Sequence, residues 1–565
     1  MAKLTIDLSG RKGLAPRFWG DIDRTTSVSR RRLLGSEGQM ADGIWNPFRR
    51  YGYLAPANAT MQDVTPAAGS FEGQLSTSIY DSENDDFYFG ERGRVLWRGD
   101  TLDDTTLTSV LDLGSTGTPR ILDTEIYQIN GVRKFFVIYE QGDALDIAVS
   151  NLPYDSTTDS LSWLSGAVAA GTATGSVNAT GAGSFPLTAP TSNGEAFMEV
   201  ADNGFAYLFM ENKVLKIDGT TDGGTGGTVT TVFTAPVYFR MVDAIDARGK
   251  MFIAIHQYSL AVRDLLEATT VYSAKVGVYV WDRISPVINT VDYIPIQGCK
   301  EIRKIYVAPN GRVRVFVVNS ENVAVIMEYN GSEFVPIIET GILAYPRFRD
   351  SLAIVGGSTI WLGQIGDNAN LDGVVFAHGK ITPQDTESIY KIGTITDWIA
   401  PGAILFGGAS TSATSTGFKR HKTGLYLAYA TAAGAISLTA FDIYGTGGDG
   451  VTALGLVGGI STLMIPLPAM STIEYIDIHM LNTITSSTTV IGNIEIYFDG
   501  VATIWATKNI TYADAATGHM RIEVNKPFVN SIQLFLNFDP AIATGGDEFA
   551  PFMAVVTYTP TKTKG

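Results

Sequence analysis

Between about residues 70 and 450 one local pattern keeps returning: a run of aromatic and β-branched residues, a short polar turn, and a second such run. It appears as Phe87-Tyr88-Phe89, then GERG, then Arg94-Val95-Leu96-Trp97. It recurs as KFFVIYE-QGD-ALDIAVS from Lys134, GFAYLFM-EN-KVLKIDG from Gly204 and KMFIAIHQ from Lys250, continued by KVGVYVWDR. The plainest copy is RVRVFVVNSENVAVIMEYNG from Arg312. SLAIVGGSTIWLGQIG from Ser351, rejoined by GVVFAHGKI, and GLYLAYATAAGAISLTAFDIYG from Gly424 complete the series. The seven starts lie 47, 70, 46, 62, 39 and 73 residues apart. One such strand pair cannot bury both of its faces, whereas a ring of stacked units does and leaves only short, protected edges. The pattern predicts an all-β chain built around a divergent β-propeller of about seven blades, without WD or kelch signatures.

Composition agrees with short strands joined by tight turns. The 565 residues include 60 Gly, only 17% are charged, and 45% are hydrophobic. That is enough for large cores and speaks against wholesale disorder. The length calls for more than one core. Cys299 is the single cysteine, which excludes an internal disulfide framework and Cys-rich zinc sites. It reads as a small buried hydrophobe. Val451–Met470 is uncharged and mostly apolar, but its glycines, Pro466 and Pro468 favour a strand and linker over a membrane span.

Residues 1–60 read as an extended N-terminal arm with no sustained period. Residues 1–53 hold ten Lys/Arg and five Asp/Glu, a balance of about +5. The remaining 512 residues hold 31 basic and 52 acidic side chains, about −21. An acidic body argues against nucleic-acid binding by that body. The arm combines Arg30-Arg31-Arg32 with Trp45, Phe48, Arg49, Arg50 and Tyr51, residue types that anchor interfaces. These eight residues are the candidate interface, with packing of the arm on its own body the plainer alternative. A second feature is Leu161–Gly194, a Gly/Ala/Ser/Thr-rich insert with no charged residue. It reads as a flexible loop or as a surface packed on a partner.

From 471 to 565 the pattern changes to strict alternation. Ile494-Glu495-Ile496-Tyr497-Phe498 is followed by Asp499-Gly500 and by Ala502-Thr503-Ile504-Trp505. Asp-Gly between alternating runs predicts a hairpin. With Arg521–Asn525, Ile532–Phe538 and the flanking runs, about six strands predict a β-sandwich or jelly roll.

Chemistry is sparse. There is no G-x-S-x-G elbow, P-loop or metal spacing among His256, His378, His421, His479 and His519. Asp218, Asp282 and Asp442 stand at strand ends where a propeller glycosidase would need converging carboxylates, but turn residues are the plainer reading. Asn368–Gly373 imitates the start of a calcium loop yet has Gly379 where the bidentate Glu belongs. The acidic run Asp81–Asp86 reads as a solvated loop. The expectation is therefore a protein without catalytic, cofactor or metal residues.

The segment RRRLLGSEGQMADGIWNPFRRYGYLAP, the divergent propeller and the alternating C-terminal region resemble the β-propeller proteins of bacteriophage tails, especially the nozzle proteins of short-tailed phages. In those proteins a polar run leads into an R-x-G-x-L-x-P-like phrase. Gln39 to Asn46, then Arg49 or Arg50, Gly52, Leu54 and Pro56 look like it. The resemblance implies a structural virion protein of the tail. It implies a homo-oligomeric ring, commonly of six, in contact with other tail or portal-adaptor proteins, with DNA passing through unbound and no membrane span. The alternative from a different class is a carbohydrate- or receptor-binding propeller at a tail tip, with Trp97, Trp281 and Trp361 as candidate aromatic platforms.

Overall fold

The computed structural model describes residues 1–8, short strands between 39 and 66, and, apart from loops, 75–163, 196–257 and 275–344. It further describes strand backbones between 352 and 442, and 458–561 apart from loops. Strand β1 (Ala2–Asp7) comes first, then β2 (Gln39–Asp42), and β3 (Trp45–Asn46) pairs with β4 (Ala55–Pro56). β5 (Thr60–Pro66) leads into a series of antiparallel meanders. The first is β6 (Leu75–Asp81), β7 (Asp86–Glu91), β8 (Val95–Gly99) and β9 (Thr106–Asp112). The second is β10 (Arg120–Ile129), β11 (Val132–Gln141), β12 (Ala144–Asp155) and β13 (Ser160–Trp163). The third is β14 (Ala196–Val200), β15 (Ala206–Met210), β16 (Lys213–Asp218) and β17 (Thr228–Thr234). The fourth is β18 (Phe239–Ala247), β19 (Lys250–Gln257), β20 (Lys275–Trp281) and β21 (Tyr293–Ile296). The fifth is β22 (Cys299–Val307), β23 (Val313–Asn319), β24 (Val323–Tyr329) and β25 (Phe334–Ala344). Then come β26 (Leu352–Val355), β27 (Ser358–Gln364), β28 (Gly373–Gly379) and β29 (Ser388–Ile395). The last group is β30 (Leu405–Ser415), β31 (Phe418–Ala430) and β32 (Ile436–Asp442). It is completed by β5, which pairs antiparallel with β32.

The first strands of these units are neighbours in space. β6 lies beside β10, β10 beside β14, β14 beside β18 and β18 beside β22, while β30 touches both β26 and β6. Apolar cores fill the gaps between successive units. Tyr88, Leu96 and Val110 meet Ile121, Phe135 and Val137. On the opposite face of the same strand, Phe136 and Ile138 meet Met198 and Leu208 of the next unit. Phe197 and Phe209 then face Met241, Ile253 and Trp281, and Phe252 and Val278 face Ile305 and Val315. Alternate residues of one strand thus bury into two different cores, which is why the middle strands read as unbroken apolar runs. This is the packing of a β-propeller, and the fold class is all-β, as the sequence predicts.

The C-terminal sheet adds β33 (Gly458–Thr462), β34 (Ile465–Asn482), β35 (Val490–Phe498) and β36 (Ala506–Thr511). A single turn, α1 (Tyr512–Thr517), and the strands β37 (His519–Phe538) and β38 (Phe549–Pro560) complete it. Its order is β1-β38-β34-β37-β33-β2, with β35 and β36 branching from β37. The long β37 pairs with β34 over its first part and with β33 and β35 over its last part.

Three expectations change here. The sheet does not begin at 471, since Gly458–Thr462 belongs to it. The region 1–60 is not wholly an irregular arm. β1 pairs with β38 and β2 with β33, so it supplies two outer strands of the C-terminal sheet, the third being β36, and saturates backbone groups of β38 and β33. β3 lies against β29 and β4 against β38, both of the same chain. Finally, the strand that returns alongside β35 after its turn is β36 (506–511) rather than 502–505. Asp499 and Gly500 do form the tight turn, both at positive φ, with Val501 N bonded to Phe498 O. Pairing resumes with Trp505 N bonded to Ile496 O at 2.9 Å and register partners from Ala506.

The propeller is therefore an excursion from the C-terminal sheet. It is entered at Thr60 and left at Asp442, which are direct register partners.

Candidate functional site

The turn between the first and second strand of a unit carries a glycine at positive φ in four consecutive units: Gly131 (79°), Gly204 (79°), Gly249 (75°) and Gly311 (73°). Three follow Asn and one follows Arg248. These turns are joined from unit to unit. Tyr127 donates its hydroxyl to Gly204 O, and Arg248 donates to Gly311 O at 3.0 Å. Between them, Arg283 donates to Asp202 of the third unit and to both Asp246 oxygens, at 3.3 and 3.1 Å, while also reaching Gly249 O at 2.8 Å. The two carboxyls that share this guanidinium shift in opposite directions. The hydrogen bond from Arg283 holds Asp202 below the usual range, and burial lifts Asp246 above it.

A second set of links runs deeper. Asp123 and Asp243 each stand just after a bulge in a first strand, buried. Each accepts a backbone N–H from the next unit's first strand at 2.8 Å: Met198 N for Asp123 and Ile305 N for Asp243. His256 accepts Ile302 N at 3.0 Å, and burial pulls its pKa down to about 4. These side chains satisfy first-strand donors that face a neighbouring sheet.

Asp81–Asp86 is a correction. Glu83 and Asn84 do sit in an exposed turn, but Asp81 and Asp86 at the ends of the run are direct cross-strand partners and both are buried. Arg133 of the second unit donates to Asp81, Arg98 donates to Asp86 at 2.5 Å (Nη2) and 2.9 Å (Nε), and Tyr88 donates to Asp86 at 3.3 Å. Burial raises the carboxyl of Asp86 despite Arg98. In the C-terminal sheet Asp477 accepts from Arg521 Nε at 2.7 Å and lies 3.0 Å from His519 Nε2. Burial opposes ionisation of Asp477, yet these donors outweigh it and its pKa is lowered.

Other predicted residues fall as follows. Asp282 is exposed and its carboxylate is occupied by Ile284 N and Ser285 N, both at 2.8 Å, as a turn residue's would be. Burial pushes the Cys299 thiol up to about 11, which suits an inert side chain. Trp97 and Trp281 are buried, so neither is a surface platform. Among the described residues no three His, Cys, Asp or Glu side chains converge as a metal site requires, and no helix is long and apolar enough to cross a membrane. Asp218 and Asp442 end β16 and β32, but their side chains, like that of Trp361, lie outside the description. Arg30, Arg31, Arg32, Phe48, Arg49, Arg50 and Tyr51 lie outside the described residues, as do Asn368–Asp372 and most of 161–194; of Trp45 the backbone alone is described.

Two exposed apolar features escaped the sequence reading. One lies in the C-terminal sheet, where Phe528 is 61% exposed and Met470, Val501, Ile504 and Trp505 are also exposed. The other is the loop after β20, where Ile284 is 83% and Val287 61% exposed. Strand periodicity predicts burial for such residues, and only the bulges and turns reverse it.

No family model and no curated protein matches this chain. Solved structures do. An exo-β-1,3-galactanase from Phanerochaete chrysosporium aligns at 10% identity over 88% of this chain and 99% of its own, with a TM-score of 0.27. A glucose dehydrogenase aligns at 9% identity over 59% and 99%, with a TM-score of 0.30. Raptor from Chaetomium thermophilum aligns at 8% identity over 68% and 29%, with a TM-score of 0.38. The expectation that the chain is not an enzyme is corrected on this finding, because enzymes stand among the structures it resembles. A missing motif does not exclude catalysis in a fold of this class. At these identities and TM-scores neither neighbour's substrate passes to this chain.

Proposed function

We propose that this chain is a structural virion protein of a bacteriophage tail, a nozzle or tail-ring component that assembles as a homo-oligomeric ring around the DNA exit channel. The observation that supports this reading is the insertion topology. A sheet made from residues at both ends of the chain carries a propeller whose entry and exit are paired, Thr60 with Asp442. Such a two-part body suits repetition about an axis, with one part available for neighbours and the other projecting. In this reading the strand groups are seven blades, with β5 closing the last. A net charge of −16 lets DNA slide past without sticking. In this reading the arm's Arg30, Arg31, Arg32, Trp45, Phe48, Arg49, Arg50 and Tyr51 supply the clasp for a neighbour.

Sedimentation of the full chain at low and high salt tests the proposal. A species of several subunits that persists in high salt is expected, and a monomer at every concentration overturns it. Glycan-array binding by that monomer would favour the carbohydrate-binding alternative.

A further inference from the structure

The pairing of β34 with β37 sets two histidines side by side. His479 and His519 are direct register partners. At the next position Met480 N donates to Gly518 O at 3.0 Å, so the histidines form the non-hydrogen-bonded kind of antiparallel pair, in which side chains stand closest. Their ring centres are 5.2 Å apart, with the planes inclined at 47°. The backbone beneath His519 is fixed. Thr517 donates its hydroxyl to His519 O at 2.9 Å, and Gly518 has a φ of 68°, where an added Cβ would come 3.2 Å from Met480 O.

The neighbours decide which ring nitrogen is available. His519 Nε2 lies 3.0 Å from Asp477 Oδ1, and Asp477 is an acid whose pKa is lowered. An ionised carboxylate only accepts, so Nε2 carries the proton and Nδ1 keeps the lone pair. Asp477 is anchored in turn by Arg521, whose Nε and Nη2 reach its two oxygens at 2.7 and 3.2 Å. Arg521 itself rests on the Tyr475 ring, 4.2 Å from its centre. A carboxylate holding the far nitrogen of an imidazole is the support that metal-ligating histidines generally have. His519 is 41% exposed and His479 is half-buried, so solvent ions reach both rings.

The ring spacing suits a shared ion. Imidazole binds Zn²⁺ at about 2.0–2.1 Å, which puts each ring centre about 3.2 Å from the metal and two rings of a tetrahedral site about 5.2 Å apart. We propose that His479 and His519 form a cross-strand site for a divalent late transition metal, with Asp477 positioning His519 and water filling the remaining coordination places. Imidazole selects Zn²⁺, Ni²⁺ or Cu²⁺ over Mg²⁺ and Ca²⁺. Two protein ligands fall short of the three or four of a catalytic or closed site, so the ion exchanges with solvent. While bound it ties β34 to β37 at the end of their ladder. The site does not depend on the assembly reading.

Calorimetric titration of the untagged full chain with ZnCl₂ tests it. One ion binds per chain, and His479→Gln or His519→Gln weakens binding by at least about 10-fold. Asp477→Asn, which removes no ligand, also weakens it by about 10-fold. Electron paramagnetic resonance of wild type with one equivalent of Cu²⁺ shows coupling to two imidazole nitrogens, and in Asp477→Asn that coupling shifts because the basicity of His519 changes. The copper spectrum of wild type decides the matter should a variant lose its native circular dichroism. The proposal is overturned if wild type takes up no Zn²⁺, if either folded histidine variant binds it as tightly as wild type, or if fewer than two nitrogens couple to the copper.

Discussion

At the scale of single residues, the polar groups that matter hold one unit to the next. Asp243 shows the logic. Its buried carboxylate accepts Ile305 N at 2.8 Å and sits 3.8 Å from Lys304 Nζ. Asp243→Ala strands that N–H and is expected to cost about 1–3 kcal/mol in urea unfolding, whereas Asp243→Asn, which keeps an acceptor, costs less. His256 makes the second case. Its folded pKa of about 4 lies below the ~6.5 of an unfolded imidazole. Its contribution is therefore complete above pH ~6.5 and is withdrawn as pH falls toward 4, by about 3 kcal/mol at most. Unfolding of His256→Gln followed from pH 7 to pH 4 is expected to show a shallower loss than wild type. An identical slope would place the acid sensitivity of that pH range elsewhere; Asp477 and Glu328, whose pKa values are lowered from 3.8 and 4.5, withdraw their contribution at lower pH.

At the scale of elements, the sequence was most legible where strands are buried on both faces. Six of the seven strand pairs recognised by pattern are the second and third strands of a unit, as with β7–β8, β11–β12 and β15–β16. First strands were missed because they mix buried apolar residues with charged ones and carry bulges, at Ile121/Asp123 and Met241/Asp243, which break the period. The Asn-Gly turns before the second strands were the unused signal, since positive φ there demands Gly. Gly277 serves a different need. A Cβ there would lie 2.6 Å from Ile294 O and from the Tyr293 ring and hydroxyl. Gly277→Ala is expected to lower stability by about 1–3 kcal/mol through overpacking, measured by denaturant titration. The candidate arm was legible only as composition. Nothing in the wording of residues 1–60 shows that β1 pairs with Met553–Tyr558 and β2 with Gly459–Thr462, at two outer positions of one sheet.

At the scale of the whole molecule, that pairing is the main departure from a three-part linear chain. It makes the N-terminal residues structural to the C-terminal sheet, because Ala2–Asp7 runs in register with Tyr558–Met553. Removing residues 1–8 is expected to expose the β38 backbone and raise its hydrogen exchange while leaving β11 and β23 protected. Uniform protection after the truncation would mean that β38 does not depend on β1.

Assembly about an axis is the central claim, and negative-stain imaging of the purified full chain tests it most directly. Closed rings of one copy number with an open centre, persisting in high salt, are the predicted result. Isolated particles the size of one chain at every concentration and ionic strength would contradict it.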